Sequence, residues 1–301
     1  MSGRAEVFRA LGALVEPPEP AHEAIAAGLG IGLMPAPGDY ADAFLFNAYP
    51  YASVYLGIEG MLGGEARDRV AGFWRALRLT PPAEPDHLAA LLGLYAALID
   101  AEEKAGREGD PARAVMRRES RKALLWEHLL SWLPAYLDKV LELASPYYVA
   151  WAALLRDTLI SEGTELGQPG ELPLHLRAAE GLPDVDAAGG EWVGALLAAV
   201  RSGMIVTRWD LRRAASDLGI GVRAGERAFM LRSLLEQDAA GTARWLADAA
   251  RRAASAHRPS ERPLGSIGAF WRARAEASAA ALELAAAGGA KPTGTVGAPV
   301  A

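Results

Sequence analysis

The chain has 301 residues, 51% of them hydrophobic and 23% charged, and its formal net charge at pH 7 is −6. This apolar content is sufficient for a packed core and excludes a disordered chain. The sequence contains no cysteine, which excludes disulfides, thiolate zinc sites, iron–sulfur ligation and a catalytic thiol, and is typical of a cytoplasmic protein.

The charge is unevenly distributed. Residues 1–200 hold 16 basic and 28 acidic residues, whereas residues 201–274 hold 14 basic and 7 acidic residues. An acidic N-terminal body suits a cationic partner. The first residues include Glu6 and do not have the pattern of a signal peptide, and charges interrupt every apolar stretch before about 20 residues. We therefore expect a cytoplasmic protein without membrane insertion.

Apolar residues recur every three to four positions and show no sustained β-branched alternation, which predicts an all-α fold. Asp86, after a proline-stiffened connector, is expected to cap the helix that begins at 87, and Pro134 is expected to kink or restart a buried helix. Residues 45–56 are expected to be ordered but partly irregular. The predicted helices of this part of the chain are 4–15, 22–28, 65–77, 87–104, 118–133 and 146–161.

Residues 162–190 are rich in glycine and proline and form the strongest linker candidate. We expect a helical body at 1–161, this linker, a basic helical region at 191–287 and a disordered tail at 288–301. Further helices are predicted near 192–203, 208–218, 225–236, 240–256 and 266–287.

Catalytic constellations are missing from the sequence. The histidines are dispersed without metal-ligand spacing, and no phosphate-binding loop or nucleophile elbow occurs. We therefore predict no cofactor, no metal and no enzymatic activity, which disfavours a metal-dependent hydrolase. The basic segment 205–235 predicts two helices joined by a glycine turn. It favours a helical hairpin packed on the body, with a helix-turn-helix transcriptional regulator as the alternative.

Four blocks of sequence resemble one known family. They are Ala48-Tyr49-Pro50-Tyr51-Ala52-Ser53-Val54-Tyr55-Leu56, Glu59-Gly60-Met61-Leu62-Gly63-Gly64-Glu65-Ala66, Glu84-Pro85-Asp86-His87-Leu88 and Glu127-His128-Leu129-Leu130-Ser131-Trp132-Leu133-Pro134. Their order and separation resemble the TorD/DmsD/NarJ-like family of cytoplasmic chaperones for molybdenum-cofactor oxidoreductases. The resemblance covers about residues 40–160. It implies an all-helical bundle that binds the twin-arginine signal peptide, or another segment, of an apo molybdopterin oxidoreductase catalytic subunit until the cofactor is inserted.

A receptor for such a peptide needs carboxylates for two guanidinium groups beside an apolar groove. The resemblance and this chemistry together give an expected peptide-binding set. Several members have an alternative role: Asp86 as a cap, His87 as a surface residue of the first turn, His128 as a buried histidine and a tyrosine in the core. The chain is expected to be a monomer or homodimer without a nucleic-acid partner. The expected peptide-binding residues are Tyr51, Ser53, Tyr55, Glu84, Asp86, His87, Trp126, His128 and Trp132.

Overall fold

The computed structural model describes residues 3–183 and 189–288 and confirms the all-α prediction. Within these ranges there is no β-strand, and no helix is both long and apolar enough to cross a membrane. Two π-helical segments, Ala41–Asn47 and Leu124–Leu129, interrupt the α-helices. The α-helices are α1 (Gly3–Ala13), α2 (Ala21–Gly28), α3 (Ala52–Leu56), α4 (Gly64–Ala76), α5 (Leu88–Arg107), α6 (Pro111–Ala123), α7 (Leu133–Leu143), α8 (Pro146–Leu166), α9 (Leu174–Ala178), α10 (Gly189–Leu197), α11 (Ala199–Ser202), α12 (Arg208–Leu218), α13 (Arg227–Gln237), α14 (Ala239–Leu264) and α15 (Ser266–Gly288).

Local signals set several of these boundaries. Pro134 lies in the first turn of α7, where its missing N–H costs no hydrogen bond, so the predicted restart is confirmed. Helix α6 begins earlier than expected, because Asp110 accepts from the Arg113 N–H at 3.0 Å and Pro111 follows it. The cap of α5 also differs from the prediction: His87, and not Asp86, accepts from the Ala89 N–H through Nδ1, at 3.2 Å.

A first hydrophobic core lies under helices α1, α5, α7 and α8 and both π-helical segments. Its largest members are tryptophans. Two of them form hydrogen bonds to the backbone: Trp132 Nε1 donates to the His128 carbonyl at 2.9 Å, and Trp151 Nε1 donates to the Leu11 carbonyl at 2.9 Å. The Tyr55 ring stacks on Trp132 with centroids 5.4 Å apart. Aromatic rings therefore fill the interior of this body.

The C-terminal helices contribute to this core and also form a second one. Trp271 of α15 is buried in the first core and donates from Nε1 to the Ser131 carbonyl at 3.0 Å. Residues from α10, α12, α13, α14 and α15 make the second core. The expected linker contains the end of α8 and all of α9, with Leu176 buried in the first core. The division into a body, a linker and a C-terminal region remains a proposal, and residues 289–301 of the expected tail lie outside the described residues.

Candidate peptide-binding surface

Residues 50–53 and 86–88 run side by side and position most of the expected site. The Ala52 N–H donates to the Asp86 carbonyl at 3.0 Å, and the Leu88 N–H donates to the Pro50 carbonyl at 2.8 Å. An isolated antiparallel bridge joins Tyr51 to His87. This pairing fixes the start of α3 against the start of α5, so residues more than 30 positions apart share one surface.

The Asp86 carboxylate has a structural role in this pairing. It is only 2% exposed, and its Oδ2 accepts from the Ser53 N–H at 3.1 Å. Ser53 is buried as well, and its Oγ accepts from the Gly63 N–H at 3.1 Å. A carboxylate at the N-terminal turn of α3 satisfies an N–H that has no partner within the helix. Asp86 therefore holds the two segments together from beneath the surface.

Four side chains contact one another at this pairing. They are Glu16, Tyr51, Glu84 and His87, and we call them the acidic cluster. The Tyr51 hydroxyl donates to Glu84 Oε2 at 2.9 Å, and its ring packs edge-on against His87 with centroids 4.8 Å apart. His87 Nδ1 lies 3.5 Å from Glu16 Oε1. Burial raises the pKa of Tyr51, and the hydrogen bond to Glu84 adds to the shift.

The His87 imidazole is neutral near pH 7. Burial lowers its pKa, while the carboxylates of Glu16, Glu84 and Asp86 oppose that shift. Its Nδ1 already accepts the Ala89 N–H, so the ring is held in one orientation. A neutral, oriented imidazole adds no positive charge to the acidic cluster.

Sequence reasoning missed two members of this surface. Glu16 follows α1, and Tyr40 precedes the first π-helical segment. Burial raises the pKa of Tyr40, and the negative charges of Glu16 and Glu84 raise it further, because both carboxylates lie close enough to act on its hydroxyl. No spacing in the sequence relates these positions, because only tertiary packing brings them together.

The acidic cluster keeps its negative charge. Among the described residues, no lysine or arginine lies within ion-pair distance of Glu16 or Glu84, and both carboxylates are exposed. Large apolar side chains are also exposed on either side of Tyr40 in the sequence: Met34 at 53%, Leu45 at 49% and Phe46 at 50%. Exposed carboxylates and exposed apolar side chains are what a cationic, partly apolar peptide requires.

The other expected site residues are buried. Tyr55 donates from its hydroxyl to the Tyr49 carbonyl at 2.8 Å, and Trp132 stacks on it in the core. Trp126 is 1% exposed, and its indole Nε1 has no hydrogen-bond partner in the part of the chain that the structure describes. His128 packs against the Phe73 ring at 4.7 Å, and burial lowers its pKa to about 4. The structure brings Tyr51, Ser53, Glu84, Asp86 and His87 together but buries the other four rings. Of these, Trp126 borders a separate cleft between residues 119–127 and 169–177.

The basic segment 205–235 packs on the body. Lys139 of α7 contacts Asp210 at 3.0 Å, and Asp210 forms a capping box with Thr207 at the start of α12. Arg227 of α13 donates to the carbonyls of Val206 and Gly60 at 3.0 and 2.9 Å. The buried face of α13 belongs to the second core. This arrangement matches the helical hairpin that the sequence favoured over a DNA-reading motif.

Over the ranges 3–183 and 189–288, no group of three or more histidine, aspartate or glutamate side chains has an arrangement that could hold a metal ion.

Comparison with known proteins identifies the segment that carries this surface. Residues 34–138 match the model of the nitrate reductase delta subunit family. The chain is 31% identical over 114 residues to "Chaperone protein TorD" of Vibrio vulnificus strain YJ016, and equally to that of strain CMCP6. Each match covers 35% of this chain and 51% of the relative.

The chain thus spans about half the length of the curated relatives it matches. All nine site residues expected from the sequence lie within the segment 34–138, whereas Glu16 and helices α8 to α15 lie outside it. The match and the all-helical fold confirm the resemblance that the four sequence blocks indicated: residues 34–138 are similar to the nitrate reductase delta subunit family and to the relatives named TorD.

Proposed function

We propose that this protein is a cytoplasmic chaperone, without catalytic turnover, for a molybdopterin oxidoreductase. It binds the twin-arginine signal peptide, or another segment, of the apo catalytic subunit and holds it until the cofactor is inserted. The family match and the relatives named TorD support the chaperone class. The acidic cluster supports a cationic client segment.

The observation that carries the proposal is the unpaired charge of Glu16 and Glu84. Two carboxylates without a basic partner can each accept one guanidinium fork, which forms two parallel hydrogen bonds to a carboxylate. The Tyr51 hydroxyl already orients the Glu84 carboxylate, so little of the freedom of that side chain is lost when a peptide binds. A pair of arginines therefore matches the acidic cluster better than a single cation does.

Affinity is expected to come mainly from apolar contacts. An exposed ion pair contributes about 0.2–1 kcal/mol, so two such pairs give modest binding. The apolar run that follows the two arginines in a signal peptide would pack on exposed side chains such as Leu45 and Phe46. The arginines then set the register of the peptide and the apolar run provides most of the binding free energy.

Isothermal titration calorimetry of the full chain tests this function. A peptide with two arginines and an apolar run should bind, and peptides with two glutamines or with serines in place of the apolar run should bind at least several-fold more weakly. Co-purification with an apo oxidoreductase subunit extends the test to the whole client. If neither the peptide nor the apo subunit binds, the proposed function is wrong.

A further inference from the structure

A cleft of about 330 Å³ lies between the loop at residues 57–63, the first turns of α4 and helix α9. We call it the loop cleft. Three large apolar side chains of the loop, Ile58, Met61 and Leu62, line it, and each of them is more than half exposed. Because a contiguous exposed apolar patch marks an interaction site, this loop is a candidate docking surface.

The loop is held at its end and in its middle. The Gly63 N–H donates to Ser53 Oγ at 3.1 Å, and Arg227 of α13 donates to the Gly60 carbonyl at 2.9 Å. Gly60 has a φ of +62°, and a Cβ there would lie 3.0 Å from the Leu197 carbonyl oxygen, so the loop fits closely against the end of α10. A loop fixed in this way loses little freedom when a ligand packs on its apolar side chains.

The loop cleft and the acidic cluster are neighbours on the fold. Ser53 is hydrogen-bonded both to Asp86 Oδ2 and to the Gly63 N–H, each at 3.1 Å. These two partner atoms are therefore within about 10 Å of each other, a distance that an extended chain covers with about three residues. A second contact joins the two surfaces, because Arg67 of α4 donates to the Ala83 carbonyl at 2.9 Å. One peptide can thus contact both of them.

Carboxylates give the loop cleft a negative lining. Glu59 and Glu65 line it and are exposed, and over the ranges 3–183 and 189–288 no lysine or arginine lies within ion-pair distance of either. Arg69 is the arginine of the lining, but its Nε and Nη2 are shielded from solvent. A surface of this charge repels an acidic segment and attracts a basic one.

We propose that the loop cleft is a second contact point for the client segment that the acidic cluster binds. Apolar residues about three positions beyond the two arginines pack on the exposed side chains of the loop, and a basic residue among them pairs with Glu59 and Glu65. This inference rests on the proposed function and adds to it a further contact for the apolar run and a preference for a basic residue within that run. Two linked contacts bind more tightly than either alone, because the second one forms at a high effective concentration.

Calorimetry of the full chain with the capped peptide acetyl-Arg-Arg-Ser-Ser-Ser-Leu-Lys-Leu-Leu-amide tests the charge preference. This peptide should bind at least about threefold more tightly than its counterpart with glutamine in place of lysine, and the counterpart with glutamate should bind more weakly still. The double variant Glu59→Gln and Glu65→Gln should remove the preference for lysine. The matched control, Glu23→Gln with Glu236→Gln, changes the net charge equally at exposed positions outside the cleft and should keep it. Equal binding of the lysine and glutamate peptides to the wild type would overturn the proposal, as would a preference that survives the loss of Glu59 and Glu65.

The apolar contact and the spacing are tested separately. Met61→Ser should weaken binding of the lysine peptide at least about fivefold, whereas Met116→Ser, which alters an exposed methionine of α6, should leave it unchanged. Removal of the three serines should weaken binding to the wild type, because the shortened peptide cannot contact both surfaces at once. Equal affinity of the peptides with and without the serines contradicts the two-point contact.

These results also separate the inference from the proposed function. If the lysine peptide binds and the double variant Glu16→Gln and Glu84→Gln weakens it while Met61→Ser does not, the proposed function stands and only the assignment of the loop cleft is wrong. If the peptide does not bind at all, both are wrong. Analytical ultracentrifugation completes the test: a dimer that Met61→Ser converts to a monomer would show that a second copy of the chain covers the loop, and would overturn the peptide assignment.

Discussion

Replacing Asp86 with alanine separates a structural role from a role in binding. The buried carboxylate accepts the Ser53 N–H at 3.1 Å, so Asp86→Ala leaves that N–H without a partner at the junction of α3 and α5. A hydrogen bond to a charged group contributes about 1.5–3 kcal/mol. The free energy of unfolding should fall by about that amount, which in a chain of this length corresponds to a melting temperature lower by roughly 2–5 °C.

The assay is thermal unfolding followed by circular dichroism, with two control variants. Asp86→Asn keeps an acceptor oxygen and should recover about half of the lost stability. Glu84→Gln alters an exposed carboxylate and should change the free energy of unfolding by less than about 0.5 kcal/mol. If Asp86→Ala melts with the wild type but fails to bind a twin-arginine peptide, Asp86 contacts the peptide directly and the structural role assigned to it is refuted.

Two further predictions concern buried ionisable groups. Arg121 is fully buried and contacts Glu162 at 2.9 Å, and Glu162 is also contacted by Arg4 and by the Tyr95 hydroxyl. Arg121→Met should therefore lower the free energy of unfolding in urea by about 1.5–3 kcal/mol, because it removes a hydrogen bond between charged groups but leaves Glu162 these two partners. The partly exposed Arg118→Met is the control, and a loss below about 1 kcal/mol for Arg121→Met would contradict this reasoning. The second concerns pH. Since folding lowers the pKa of His128 from 6.5 to about 4, the unfolded chain takes up the proton first, and stability present above pH 6.5 should be lost as the pH falls towards 4. Between pH 7 and pH 5, His128 should lower the free energy of unfolding of the wild type by about 2 kcal/mol. Urea titrations at the two pH values should show a correspondingly smaller decrease for His128→Phe. An identical pH dependence in both proteins would show that His128 is not the group responsible.

Much of the fold could be predicted from the sequence because helix formation depends on local patterns. The three-to-four spacing of apolar residues predicted α1 and α5 closely, and Pro134 predicted the start of α7. Helix α14 was expected to end near residue 256, yet it continues through Pro259 and Pro263 to Leu264, where packing against α15 outweighs the local cost of proline. Tertiary contacts thus determine helix ends, such as that of α14, that local sequence signals do not predict.

The candidate site could be predicted only in part. Glu84, Asp86 and His87 lie within four consecutive residues, so a motif identified them together. Trp132 was expected to line a groove, because an aromatic residue in a sequence motif does not reveal which way its side chain points, and it lies in the core. Glu16 was missed because its approach to His87 depends on how α1 packs against α5. The residue types at a site can be inferred from motifs, whereas the direction in which each side chain points and the groups that it contacts require the tertiary structure.

The most direct test of the proposed function is the affinity of a twin-arginine peptide for the double variant Glu16→Gln and Glu84→Gln. Both side chains are exposed, so the variant should fold like the wild type, and circular dichroism checks this. We expect at least fivefold weaker binding of the twin-arginine peptide, and a much smaller effect on a twin-glutamine peptide with the same apolar run. Unchanged affinity for the twin-arginine peptide would contradict the claim that the acidic cluster recognises the two arginines.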